Sequence, residues 1–154
     1  EEGAASMKFT NLTSTGSQGS SGEFPDTDYP MFRLADAYLI YAEAVLRGGT
    51  GSAAQALTYV NELRQRAYGD NSGDITQGEL TTDFILDERG RELFFEGQRR
   101  TDLIRFGKFA GGTYIWTFKG GVPAGQSVPD YLSLYPIPSN QIAVNPKLTQ
   151  NTGY

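Results

Sequence analysis

Apolar residues recur three and four apart from Phe32 to Leu46: Phe32, Leu34, Ala35, Tyr38, Leu39, Tyr41, Ala42, Val45 and Leu46. That spacing is the period of an α-helix, and so broad an apolar band predicts a helix buried on more than one side. Pro30 suits a first helical turn and Asp28 stands where a cap would, so the helix is expected to start near Pro30. Gly48-Gly49 ends it. Ser52 reads as the N-cap of a second helix, in which Ala53, Ala56, Leu57, Val60, Leu63, Arg64 and Ala67 keep the spacing until Gly69. A connection this short makes the two helices antiparallel neighbours, an αα-hairpin. The small residues Ala35, Ala42, Ala53, Ala54 and Ala56 favour close approach. Tyr38, Tyr41 and Tyr59 lie on the helix faces and are expected in the core. Helix pairs of this length are the unit of tetratricopeptide arrays. A lone pair cannot bury its own face, so the pattern predicts further repeats outside this chain.

A polar loop over residues 70–80 leads to a third predicted helix from about Thr82 to Gly97, and a shorter fourth covers about Arg99 to Phe106. Ahead of the first helix, residues 1–29 are rich in Gly, Ser and Thr, with one short strand expected over Met7–Leu12 and a flexible loop over Ser14–Gly22. Asn11-Leu12-Thr13 matches the glycosylation acceptor pattern, a triplet frequent by chance. Beyond Gly107 the helical period fades. Tyr114–Phe118 reads as a short extended piece, and prolines extend Leu134-Tyr135-Pro136-Ile137-Pro138. Ser139 is placed to cap one helical turn through Ile142 before Asn145-Pro146 breaks it. The expected organisation is a polar segment over 1–29 and a domain over 30–154. The expected fold is mainly α, built of tetratricopeptide-like helical pairs with long irregular loops.

The chain has 154 residues, 38% hydrophobic and 20% charged, enough for one packed domain. Gly, at 19 residues, exceeds the usual share of roughly 7% and sits largely in loops. The formal net charge is −5, and the cations between Arg89 and Lys108 are interleaved with acids. That is a salt-bridged helical surface rather than a phosphate track, so nucleic acid is not an expected partner. There is no Cys and no His. Those absences remove disulfides, the usual zinc ligands, and Ser–His or Cys–His nucleophile pairs. No cofactor or metal is called for. No apolar run approaches the roughly 18 residues of a membrane span. The chain opens Glu1-Glu2-Gly3, with neither Met nor a basic leader, which reads as a piece of a longer protein.

The densest chemistry lies in Ile85 to Phe109. Glu88, Glu92 and Glu96 stand four apart, on one helix face, with Arg89 and Arg91 beside them and Arg99, Arg100 and Arg105 following. A catalytic reading would use two of the carboxylates as acid and base, as glycosidases do. A structural reading pairs them with the arginines and fixes the third helix against the fourth. Spacing favours the second, because residues four apart on a helix usually form ion pairs or a solvated row. Catalytic carboxylates also normally face each other from separate elements, and no second acidic element stands out.

This segment resembles the C-terminal signature of the SusD/RagB family, close to E-R-x-R-E-L-x-F-E-G-H-R-x-x-D-L-x-R-x-G. Glu88, Arg89, Arg91, Glu92, Leu93, Phe95, Glu96, Gly97, Arg99, Asp102, Leu103, Arg105 and Gly107 match it. Gln98 departs where His is common, and Gly90 departs where a helix former is expected, at a cost of up to about 1 kcal/mol. Phe32 to Ala44, with Glu43 inside it, is similar to the family's final repeat helix. Leu134 to Ile142 and Asn145 to Tyr154 look like the family's ending. Together the motifs cover about residues 30–154.

The resemblance implies a SusD-like fold, of which this chain is the C-terminal part. It implies a non-catalytic component that binds oligosaccharide or polysaccharide for nutrient uptake. The expected place is the extracellular face of the outer membrane of a Gram-negative, Bacteroidetes-like bacterium. There the family is held by a lipidated Cys absent from this chain and works with a TonB-dependent, SusC-like porin. Sugars stack their C–H faces on aromatic rings, which makes Trp116, with Tyr114 nearby, the local platform candidate. The competing reading has both rings packing the tail on the helices. The alternatives to glycan capture are a tetratricopeptide-like protein-interaction module without sugar binding and, less favoured, a glycosidase.

Overall fold

The computed structural model describes residues 8–13 and 15–154. Among them are five α-helices and no β-strand, only the isolated bridges Leu12–Gln18 and Gly111–Val128. The chain is therefore mainly α. It forms two compact units, Glu1–Arg99 and Arg100–Tyr154.

The first unit is built on α1 (Leu34–Leu46), α2 (Ala53–Tyr68) and α3 (Thr82–Glu92). The predicted hairpin forms: α1 packs on α2, and α1 also packs on α3. Ser52 caps α2 by accepting from the Gln55 N–H, and Gly69 closes it in the left-handed conformation. The apolar stripes meet at Leu39, Ala42, Ala56, Val60 and Ile85, none of which keeps any exposed surface. Burying each of the larger ones contributes roughly 1.5–3 kcal/mol. Tyr38, Tyr41 and Tyr59 are half-buried rather than core. Tyr38 and Tyr59 stack at 4.1 Å along the edge of the pair, and Tyr41 meets Tyr59 edge-on at 5.3 Å. The Tyr41 hydroxyl accepts from the Ser52 N–H, which leaves it at the rim of the connection. Leu34 and Ile40 stay exposed, so α1 is buried on one side and not on two.

Both predicted boundaries of the charged helices move. α1 begins at Leu34, not near Pro30, and its N-cap is Arg33, with extended backbone and no side-chain cap. The Arg33 side chain is directed instead at Glu92 and Glu96. α3 stops at Glu92 instead of continuing to Gly97. Phe95 (φ 61°) and Gly97 (φ 74°) adopt left-handed backbone, which a helix cannot contain. Glu96 consequently leaves the helix face it was expected to share with Glu88 and Glu92.

Ahead of α1 the expected strand over 7–12 is absent: Met7 lies outside the described residues, and Lys8–Leu12 contributes one bridge only. Asn11 takes over the backbone groups that a partner strand would have used. Its amide donates to the Ser21 carbonyl at 2.8 Å and its oxygen accepts from the Asp26 N–H at 2.9 Å.

The second unit carries α4 (Arg99–Arg105) from its second residue on, turns of 3-10 helix at Lys119–Gly121 and Asp130–Ser133, and α5 (Ser139–Val144). Gly107 (φ 67°) ends α4 as the N–H groups of Lys108 and Phe109 both close onto the Leu103 carbonyl. Tyr114–Phe118 is not an extended piece. The chain turns there around the Lys119 ammonium, and Phe118 sits at φ 67°. Ser139 is the first residue of α5 rather than its cap, which is Pro138, and the helix runs two residues past Ile142 to Val144. The tail lies along the proline-extended stretch. Gln150 bonds both the N–H and the carbonyl of Ile137, and the Tyr154 hydroxyl donates to the Leu134 carbonyl.

Candidate functional site

The signature carboxylates are buried and all are ion-paired. Glu88, on α3, receives Arg64 of α2 at 2.8 Å and Arg91 at 2.6 Å. Glu92 receives Arg66 of α2 at 2.6 Å and also Arg33. Glu96 is held by Arg33 at 2.7 Å and by Lys8. One turn along α3, buried Arg89 reaches back to Asp36 of α1 at 2.8 Å, and Glu43 of α1 pairs with Arg47 at 2.7 Å. Burial pushes the Glu96 carboxyl upward. The hydrogen bonds from Arg33 and Lys8 outweigh that and hold it below the ordinary carboxylate range.

Within the first unit the partners of these carboxylates are Lys8, Arg33, Arg64, Arg66 and Arg91. They clamp α3 to α2, to the entry of α1 and to the N-terminal segment. Arg99 instead crosses α3: its guanidinium donates to the Leu86 carbonyl at 2.7 Å and lies 3.9 Å from Asp87. A Cβ on Gly90 would stand 2.9 Å from the same guanidinium, so the glycine that departs from the signature is the one over which Arg99 passes. Arg105 pairs with buried Asp102 at 2.9 Å. Gly97 supplies a left-handed turn, and a Cβ there would come within 3.1 Å of the Tyr29 hydroxyl. Lys8, Arg33, Arg64 and Arg66 complete the cluster; the sequence pattern marked only Arg64, as part of the α2 stripe and not as an ion-pair partner. Glu96 and Arg33 are 63 positions apart, and no spacing rule links them.

Trp116 and Tyr114 come together in the second unit. Their rings lie 6.0 Å apart, tilted by 54°, and both are half-buried. Between them sits Lys119, only 2% exposed. Its ammonium donates to the carbonyls of Tyr114 at 2.6 Å and Gly111 at 3.1 Å, and stands 4.7 Å over the Trp116 ring. Burial lowers the Lys119 pKa. Nearby, the Arg100 guanidinium lies 4.4 Å from the ring of Phe109 and 4.3 Å from that of Tyr135, and donates to the carbonyls of Leu132 and Ser133. The loops of this unit are thus organised by cations against aromatic rings, Lys119 buried and Arg100 half-buried. No helix of the described residues is long and apolar enough to cross a membrane, and no group of three or more acidic side chains among them could hold a metal ion.

The family model for the SusD family matches residues 1–154. The chain belongs to the SusD family. The starch-binding protein SusD of Bacteroides thetaiotaomicron is 43% identical over 154 residues, which is 99% of this chain and 26% of that protein. A SusD-like protein of Formosa agariphila is 34% identical over 80% of this chain and 24% of its own length. Among solved structures, a SusD superfamily protein from Bacteroides vulgatus superposes with a TM-score of 0.68 at 32% identity, covering 90% of this chain and 31% of that one. The surface glycan-binding protein A from Bacteroides uniformis gives 0.60 at 30% identity, covering 80% and 27%. This SusD-family chain spans about a quarter of the length of the curated relatives it matches. Its helical architecture is that of the SusD superfamily.

Proposed function

We propose that this chain is part of a non-catalytic glycan-binding protein at the outer face of a bacterial outer membrane. It hands oligosaccharide to a TonB-dependent, SusC-like porin and is held at the surface by a lipid anchor. The observation that carries the reading is the 43% identity to a starch-binding protein along the entire chain. The ion-paired carboxylates support its non-catalytic part. Glu88, Glu92 and Glu96 are each committed to arginine or lysine, as structural ion pairs are, rather than left to exchange protons with a substrate.

Within the chain, Trp116 and Tyr114 are the proposed aromatic contacts for sugar. Lys119 stands over the Trp116 ring and holds the Tyr114 carbonyl, which fixes both in place before any ligand arrives. Native electrophoresis through gels containing starch, laminarin or no glycan tests the reading. Retardation in one glycan, with no reducing sugar released, is expected. Unchanged mobility across a broad glycan panel would overturn it. Purification from the native membrane tests the porin: a TonB-dependent barrel should travel with the intact protein.

A tetratricopeptide-like interaction module is the second reading. It is favoured by the apolar side chains that Met31, Phe32 and Leu34 leave exposed at the entry of α1. That reading predicts a protein partner and no gel retardation.

A further inference from the structure

The first unit holds an open cleft of about 300 Å³ with no residue of the Glu88–Gly107 signature in its lining. The apolar residues Phe9, Pro25 and Tyr29 line it together with the polar Thr10, Thr27 and Asp28. The volume is at the lower end of the roughly 300–1,000 Å³ of ligand pockets, which suits a ligand of one or two sugar rings.

The cleft is built on a braced loop. Asn11 ties both of its side-chain ends to the segment opposite, at Ser21 and Asp26. The Gly19 N–H donates to the Asn11 carbonyl at 2.9 Å, and the Thr27 hydroxyl donates to the Thr10 carbonyl at 3.2 Å. The Asp26 carboxylate, in turn, accepts from the N–H and the hydroxyl of Ser20, both at 2.6 Å. Lys8, next to Phe9, is anchored on Glu96 and the Glu92 carbonyl of the helical core. A site tied this way is formed before its ligand arrives and loses little freedom on binding.

A pyranose has a C–H face and a rim of hydroxyls. Tyr29, largely exposed, offers a ring face, and exposed Asp28 beside it offers a carboxylate that only accepts hydrogen bonds, the complement of a sugar hydroxyl. We infer that this cleft is a sugar-ring subsite, with Tyr29 as the stacking residue and Asp28 as the hydroxyl acceptor. The inference rests on the glycan-binding reading and names a site separate from Trp116.

Calorimetric titration of the 154-residue chain with maltoheptaose, laminarin oligosaccharides and further soluble glycans tests it, with circular dichroism to verify folding. Tyr29→Ala should weaken binding of the glycan that the wild type takes up by about tenfold. Asp28→Asn, isosteric and exposed, should weaken it less but measurably, and Tyr29→Phe should retain it. If the wild type binds and Tyr29→Ala and Asp28→Asn bind equally well, the subsite is overturned while glycan binding stands, and a Trp116→Ala variant that fails to bind would place it in the second unit. If the wild type binds no glycan, both readings fall.

Discussion

The Nε of Arg33, the residue that precedes α1, donates to Glu96, four residues beyond the end of α3, across 2.7 Å. The same guanidinium pairs with Glu92, so one side chain joins the entry of the first helix to the exit of the third. Arg33→Met leaves two buried carboxylates short of a partner. The expected loss is about 2–3 kcal/mol, below the roughly 3–5 of a fully buried pair because the Arg33 side chain keeps 22% exposure. Chemical denaturation at neutral pH measures it.

The same pair sets an acid limb. Glu96 is held below its ordinary value of 4.5, against the effect of burial, by Arg33 and Lys8. The folded state therefore binds fewer protons than the unfolded one as the pH approaches that value. The stabilisation is complete above 4.5 and is lost as the pH falls through the lowered value. Glu96→Gln should lower stability at neutral pH and flatten the loss between that pH and the acid range. An acid limb as steep as that of the wild type would rule Glu96 out as its source.

Gly90 and Arg99 should be coupled with a change of sign. A β-carbon at Gly90 stands 2.9 Å from the Arg99 guanidinium, which must then leave the Leu86 carbonyl. Gly90→Ala is expected to destabilise by about 1 kcal/mol, because the lost charged hydrogen bond, worth roughly 1.5–3 kcal/mol, exceeds the helix gain of about 1. In an Arg99→Ala background the same change should stabilise by up to about 1 kcal/mol. A double-mutant cycle reads the coupling directly.

Lys119→Ala leaves carbonyls of the loop without their donor and takes the cation off Trp116. The second unit should lose about 2–3 kcal/mol, the scale of hydrogen bonds to a charged group. Trp116 is the only tryptophan, so its fluorescence follows the loop without interference. Emission should shift to the red in the folded variant. An unshifted spectrum with unchanged melting would show that Lys119 does not organise the loop.

Phe95 holds a left-handed backbone at φ 61° with its side chain exposed. Phe95→Gly should raise stability by about 1 kcal/mol, since glycine adopts that conformation without the steric cost. Thermal melts compare the two chains.

Much of this architecture is written in local pattern. The three-four spacing from Phe32 to Leu46 and from Ala53 to Ala67, the Ser52 cap and the Gly69 stop each involve neighbours within a turn, and both helices formed there, α1 without its expected first turn from Pro30. The signature from Glu88 to Gly107 was legible for the same reason, and the family match over residues 1–154 agrees with it. Other features depend on partners far along the chain. Arg33 keeps the N-cap position of α1 but sends its side chain to carboxylates about sixty residues away instead of capping the helix. Glu96 leaves its helix because Phe95 and Gly97 turn the backbone toward Arg33 and Lys8. Lys119 pulls Tyr114 and Trp116 into a loop instead of an extended piece, since a buried ammonium requires carbonyls around it. Helical periodicity is a property of consecutive residues. Which charge meets which, and which loop closes into a cleft, is decided only when the chain has folded and burial makes every unpaired group costly.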